Sequence, residues 1–164
     1  MSASMPETVV PAQLPLDLSR RPGFSRDDLV VTAANAAAVS LIDRWPDWPS
    51  AVVVIAGPAG SGKSHLAAVW QERANALGVA PGAIGAEAIA GAASRPILID
   101  GIGDQLLAPA DEDALFHLIN AVREAGGHLL LTSRRFPAAW RVALPDLASR
   151  LKAATIVEIA EPDD

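Results

Sequence analysis

The sequence predicts an α/β fold, a mainly parallel sheet with helices on both faces. Three observations carry this. Short apolar runs at 51–56, 97–100, 129–133 and 155–159 read as buried strands. Helix-patterned stretches separate them, and strands that alternate with helices pair in parallel under a cover on each face. A glycine-rich stretch, Gly-Pro-Ala-Gly-Ser-Gly-Lys-Ser at 57–64, joins the first run directly to a helix.

The elements follow in order. Residues 1–23 hold Pro6, Pro11, Pro15 and Pro22 with few bulky apolar residues, and are expected to be a mobile tail ahead of one domain at 24–164. Residues 25–28 read as a turn and cap leading into Leu29-Val30-Val31, and the alanine-rich 35–42 reads as a helix. Trp45-Pro46-Asp47-Trp48-Pro49 is a loop, because each proline pushes its predecessor out of helical geometry. After the glycine-rich stretch, Leu66, Val69, Trp70, Arg73, Ala74 and Leu77 recur at helical spacing, so a helix is expected over 63–77 with Gly78 ending it. Residues 79–95 are weakly patterned, with a strand near 80–84 and a short helix near 86–92 as the reading. The strand at 97–100 ends in the Asp100 carboxylate. Asp111-Glu112-Asp113 open a helix and suit its dipole; Leu115, Leu118, Ile119 and Val122 form its buried stripe, and Gly126-Gly127 stop it. No internal repeat is visible.

Composition narrows the function. At 164 residues and 51% apolar content the chain can bury a core, built mostly of Ala, Val, Leu and Ile because aromatics are only 4%. A net charge of −6 argues against strong direct nucleic-acid binding, which needs a basic face. The absence of cysteine fits a reducing, cytoplasmic setting. There is no signal-peptide pattern and no apolar stretch near the roughly 20 residues of a membrane span, so no membrane partner is expected.

The stretch 57–64 has the pattern of a phosphate-binding P-loop. Its glycines let successive N–H groups turn inward as an anion nest, and the helix that follows adds its free N–H groups and positive dipole end. Gly57, Pro58, Ala59, Gly60, Ser61, Gly62, Lys63 and Ser64 would hold the phosphates; Lys63 reaches the β/γ-phosphates, and the Ser64 hydroxyl ligates Mg²⁺. The alternative is a glycine turn with an incidental lysine; the strand and helix on either side favour the P-loop. The ligand class is therefore ADP or ATP with Mg²⁺.

Asp100 ends an apolar strand further along, where P-loop proteins place the aspartate of the Mg²⁺ shell. By itself it reads equally as a turn cap before Gly101. Many P-loop ATPases carry a second carboxylate next, to orient the attacking water; here that neighbour is Gly101, and Asp104 helps only if the loop folds back. Slow intrinsic hydrolysis is expected, below about 1 s⁻¹. Basic residues gather late, at Arg134, Arg135, Arg141, Arg150 and Lys152, with Arg134 and Arg135 following the third strand toward the γ-phosphate position. Spacing alone favours a solvated surface role for Arg150; an arginine finger reaching a neighbour's nucleotide is the other reading.

Five segments occur together in order: 57–66, Ile-Leu-Ile-Asp-Gly (97–101), Asp-Ala-Leu-Phe-His-Leu-Ile-Asn (113–120), Leu-Leu-Leu-Thr-Ser-Arg (129–134) and Leu-Pro-Asp-Leu-Ala-Ser-Arg-Leu (144–151). They resemble the AAA+ domain of the DnaA/Hda family of replication-initiation proteins, over about residues 13–164. Gln13-Leu14-Pro15-Leu16-Asp17-Leu18 is similar to the peptide with which members of this family dock on the β sliding clamp, through Gln13, Leu14, Leu16 and Leu18. Taken alone, it reads equally as a proline-broken linker. The resemblance implies a P-loop NTPase fold, the AAA+ large subdomain, with Asp100 supporting Mg²⁺ and Thr132 and Ser133 at the sensor 1 strand end. Val30 and Val31, with Leu29, match the segment beside the adenine. Arg150 matches the arginine finger that acts in trans on ATP bound to DnaA, and Arg134 stands where the family has an acidic residue.

Two departures qualify this. Gly101 replaces the family's second acid, which suits a regulator that binds nucleotide. The sequence stops at Asp164, where the family continues into a small helical lid, so weak nucleotide affinity is expected. The expected function is a clamp-docked activator of DnaA ATP hydrolysis, with homo-oligomer formation left open. The alternatives are a helicase-loader-type AAA+ adaptor, an autonomous P-loop ATPase and a nucleotide-binding scaffold.

Overall fold

The computed structural model describes residues 25–161. Five strands form one sheet: β1 (Val52–Ala56), β2 (Leu77–Gly78), β3 (Ile97–Ile99), β4 (Leu129–Ser133) and β5 (Thr155–Glu158). Their order is β2-β3-β4-β1-β5, and every pairing is parallel. β1, β3 and β4 are buried at every position. Strands covered on both faces have no solvent side to alternate toward, so they appear in the sequence as unbroken apolar runs. β4 lies between β1 and β3, with Ile55 opposite Thr132 and Ile99 opposite Leu131. The turns that leave these three strands therefore emerge side by side on one edge of the sheet.

Among the described residues five helices cover the sheet: α1 (Ala36–Arg44), α2 (Lys63–Ala74), α3 (Ala86–Gly91), α4 (Pro109–Ala125) and α5 (Pro145–Lys152). Leu41, Ile42, Leu66 and Trp70 of α1 and α2 pack with Val53, Ile55, Leu98 and Leu130 on one face. Leu115, Leu118, Ile119, Leu147 and Leu151 of α4 and α5 pack with Val52, Val54, Ile97, Ile99 and Leu131 on the other, joined by Ala88 of α3. Successive β1 residues thus feed opposite cores, as the two-residue period of a strand requires. Each such buried aliphatic side chain contributes about 1.5–3 kcal/mol. Under α1 and α2 an aromatic group extends the core: Trp48 stacks on Trp70 with centroids 5.3 Å apart, and Trp45 meets Trp70 edge-on at 6.1 Å. His128 packs edge-on against Trp45 and Trp48, at 5.8 and 5.4 Å.

Several boundaries differ from the sequence expectation. α2 ends at Ala74, not Leu77, because Asn75 takes the left-handed conformation (φ 53°) and Ala76 N–H closes back on the Gln71 carbonyl at 3.0 Å. Leu77 and Gly78 are then free to pair with β3, so the edge strand lies at 77–78 and not at 80–84. Asp100 is the first residue past β3. α4 begins at Pro109, so its first turn holds Asp111 and Glu112 but not Asp113. α5 and a 3₁₀ turn at Pro137–Trp140 had no counterpart in the sequence reading.

Candidate functional site

The loop after β1 is closed onto the sheet by Gly57, whose N–H donates to the Ser133 carbonyl at 3.0 Å. A Cβ on Gly57 would lie 2.8 Å from the Ile159 carbonyl oxygen and 2.9 Å from Ser61 Oγ, so the chain can pass only as glycine. Gly62, at φ 95°, turns the loop into α2, where Leu66 N–H bonds the Gly62 carbonyl at 3.0 Å. Lys63 opens α2 only 7% exposed, and its Nζ donates to the Pro58 carbonyl at 3.2 Å. The buried Ser61 hydroxyl has no hydrogen-bond partner among the described residues.

Asp100 faces this loop. Ser64 Oγ donates to Asp100 Oδ2 at 3.1 Å. Thr132 Oγ1 donates to Asp100 Oδ1 in a short hydrogen bond and accepts the Gly101 N–H at 2.8 Å. Thr132 is fully buried, so it holds the carboxylate in place from below. Of the two residues expected at the strand end, Thr132 is the one that reaches Asp100. Ser133, next along the strand, faces the other way: its Oγ accepts Trp140 Nε1–H at 2.9 Å and the Arg135 N–H at 3.2 Å.

The donor set fits a polyphosphate and its metal. A buried ammonium held only by the Pro58 carbonyl and the buried Ser61 hydroxyl beside it are costly unless an anion is received there. Ser64 and Asp100 supply the hard oxygens that Mg²⁺ prefers. Among the described residues no group of three or more His, Cys, Asp and Glu gathers to hold a metal. One carboxylate and one hydroxyl suit an ion that keeps waters and leans on ligand phosphates.

The turn beyond Asp100 folds back over residue 101. Ile102 is fully buried, and Arg135 Nη2 donates to the Gly103 and Asp104 carbonyls at 3.3 and 3.2 Å. Asp104 Oδ1 accepts the Arg134 N–H at 2.8 Å, and Oδ2 lies 3.7 Å from Arg134 Nε. The Arg134 side chain is 60% exposed.

Val30 and Val31 are 73% and 51% exposed. Asn35 shapes their turn: its Oδ1 accepts the Thr32 N–H at 2.8 Å and its Nδ2 donates to the Val30 carbonyl at 3.0 Å. The Ala160 N–H bonds the Ala34 carbonyl at 3.1 Å, and the neighbouring Ile159 borders Gly57.

Arg150 is elsewhere. It lines a cavity of about 240 Å³ with Pro49, Ser50, Val52 and Arg123, at the end where β1 begins, whereas the loop is where β1 ends. At roughly 3.3 Å per residue, the five residues of β1 hold the two about 15 Å apart. Arg150 Nε donates to Asn120 Oδ1 at 3.1 Å. The segment entering α5 is anchored by a residue the sequence had placed in a dipole role. Glu112, 5% exposed, accepts the Ala143 N–H at 3.0 Å and the Leu144 N–H at 2.8 Å. Nothing in the sequence marked either contact. Gln13, Leu14, Leu16 and Leu18 lie outside the described residues. No described helix is long and apolar enough to cross a membrane.

No protein-family model matches the chain, and no curated protein matches it. Solved structures do. The chain is similar to the replication initiator DnaA bound to AMPPCP and single-stranded DNA, with a TM-score of 0.74 and 19% identity over 87% of this chain and 51% of that one. It is similar to domain III of DnaA from Thermotoga maritima, at 0.71 and 17% over 87% and 69%. It is also similar to the DnaC helicase loader, at 0.63 and 11% over 87% and 98%. The chain spans about half the length of the first of these. Sheet order and likeness together define an α/β fold, a five-stranded parallel sheet with helices on both faces, shared with these replication proteins.

Proposed function

We propose that the chain is a nucleotide-binding AAA+ regulator of replication initiation, of the Hda type. It holds ADP or ATP with Mg²⁺, docks on the β sliding clamp through residues 13–18, and presents Arg150 to ATP bound on DnaA. The observation that carries this is the separation of Arg150 from the chain's own loop: a guanidinium at the far end of β1 serves a nucleotide on another protein, not its own. Residues 24–164 act as the nucleotide-binding subdomain, working in the cytoplasm.

At the loop, the inward N–H groups and the Ser61 hydroxyl receive phosphate oxygens, and Lys63 exchanges the Pro58 carbonyl for one of them. Ser64 and Asp100 hold Mg²⁺, which when bound offsets phosphate charge. Thr132 fixes the Asp100 carboxylate. The exposed Val30 and Val31 give an apolar wall for the base. At the far end, Asn120 limits the directions in which Arg150 can point, so less freedom is lost when its remaining N–H groups meet a partner's phosphate. The clamp tether raises the effective concentration of that weak contact.

The test is turnover of DnaA-bound ATP with clamp, DNA and this chain. Arg150→Ala is expected to return turnover to the level without the chain, a loss on the scale of an arginine finger, about a thousandfold. Unchanged stimulation would remove Arg150 from the mechanism. Replacing Leu16 and Leu18 by Ala is expected to abolish clamp binding and leave nucleotide binding intact. The helicase-loader reading draws on one observation, the overlap with 98% of the DnaC chain. Capture of replicative helicase instead of clamp would favour it.

A further inference from the structure

Gly101, at φ 88°, has no side chain, but Asp104 Oδ2 stands 3.5 Å from the point where a Cβ on residue 101 would be. The intervening turn is built to put it there. Ile102 is sunk into the core, and Arg135 grips the Gly103 and Asp104 carbonyls. Gly103 lies so close to the Trp140 ring that no side chain fits between them. Asp104 Oδ1 accepts the Arg134 N–H, and Oδ2, 3.7 Å from Arg134 Nε in a half-open ion pair, is turned toward residue 101. The side chain is 25% exposed, and it lines a cleft of about 530 Å³ with Gly101, Pro81 and Arg134. Pro81 also lines the adjoining cleft of about 360 Å³ that contains Ser64 and Asp100. The cleft of Asp104 and the cleft of Ser64 and Asp100 thus meet at Pro81.

We propose that Asp104 is the water-orienting carboxylate of this chain's own slow hydrolysis of a nucleoside triphosphate. This rests on the P-loop reading above. The water oxygen forms a bond to the γ-phosphorus as the bond to the β–γ bridging oxygen breaks. The bridging oxygen leaves with the electron pair as the nucleoside diphosphate. The water proton passes to Asp104 Oδ2 and from there to the released phosphate. Arg134 N–H holds the carboxylate's other oxygen, so one oxygen orients the water while the group stays in place.

The test uses the full chain, with fluorescent ATP for affinity and single-turnover conversion of bound ATP to ADP for rate. Asp104→Asn keeps the acceptor for the Arg134 N–H and removes the base. The expected result is unchanged affinity, a rate about a hundredfold lower, and bound nucleotide recovered as ATP. Asp111→Asn, in the same cleft, is expected to leave the rate alone and so controls for general loss of negative charge. An Asp104→Asn rate equal to wild type, or a wild-type rate no greater than that of Lys63→Ala, overturns the assignment of Asp104 while nucleotide binding stands. No nucleotide binding by wild type overturns the P-loop reading, and the Asp104 assignment with it.

Discussion

The Ser64 hydroxyl donates to the Asp100 carboxylate at 3.1 Å, joining the first turn of α2 to the end of β3 across 36 residues of sequence. Neither residue needs the other for folding, since both are exposed at the sheet edge. Their meeting is a property of the site. Asp100→Asn is therefore expected to leave stability within about 0.5 kcal/mol of wild type. It should remove the Mg²⁺ dependence of nucleotide affinity. Titrations with and without Mg²⁺ check this; a dependence that survives the substitution counts against the metal role.

Gly103 is a structural requirement of the turn that carries Asp104. It has φ 76°, and a Cβ would collide with the buried Trp140 indole, whose Nε1–H is committed to Ser133 Oγ. Gly103→Ala is expected to cost about 3 kcal/mol, from backbone strain and overpacking together. Urea unfolding measures it. A cost below about 0.5 kcal/mol, the size of a neutral surface change, would mean that the turn can relax.

Glu112 links α4 to the start of α5, accepting two backbone N–H groups with one buried carboxylate. Glu112→Ala strands both donors and is expected to cost about 2–4 kcal/mol, with Glu112→Gln costing less because one acceptor remains. Hydrogen exchange should quicken first in α5. Uniform quickening across the sheet would argue that Glu112 supports the whole fold and not this segment.

His128 titrates below its ordinary value near 6.5 because burial against Trp45 and Trp48 disfavours the charged ring, a trend partly opposed by a bond to the Pro46 backbone. The unfolded chain therefore binds the proton more readily. The stability contribution is fully present above pH 6.5 and is lost as pH falls from there toward the depressed folded value. Thermal melts between pH 7.5 and 5 are expected to show a declining midpoint that flattens in His128→Gln. A wild-type midpoint with no acid-side decline attributable to His128 would contradict the shift.

The parts legible in the sequence share a local cause. The apolar runs at 51–56, 97–100 and 129–133 could be read as strands because a doubly covered strand writes its burial into consecutive residues. The glycine loop between β1 and α2 could be read because its pattern is packed into eight positions. α5 escaped notice because its apolar face rests on only Leu147 and Leu151, with Pro145 at the start. The edge strand at 77–78 was hidden because a left-handed Asn75, not Gly78, ended the helix.

The sequence by itself determined the parallel α/β class, the glycine loop between β1 and α2, and the carboxylate at the end of β3, since each depends on residues adjacent in the chain. Only the tertiary structure decided which of these meet. Sheet order placed β4 between β1 and β3, and this brought Thr132 onto Asp100 while strand alternation turned Ser133 away. The fold of the 100–104 turn returned Asp104 to the place Gly101 leaves bare. The length of β1 kept Arg150 far from the loop. Neighbours in sequence are set by local stereochemistry, but neighbours in space are set by which faces must be buried together, and the candidate chemistry of this chain depends mostly on the second.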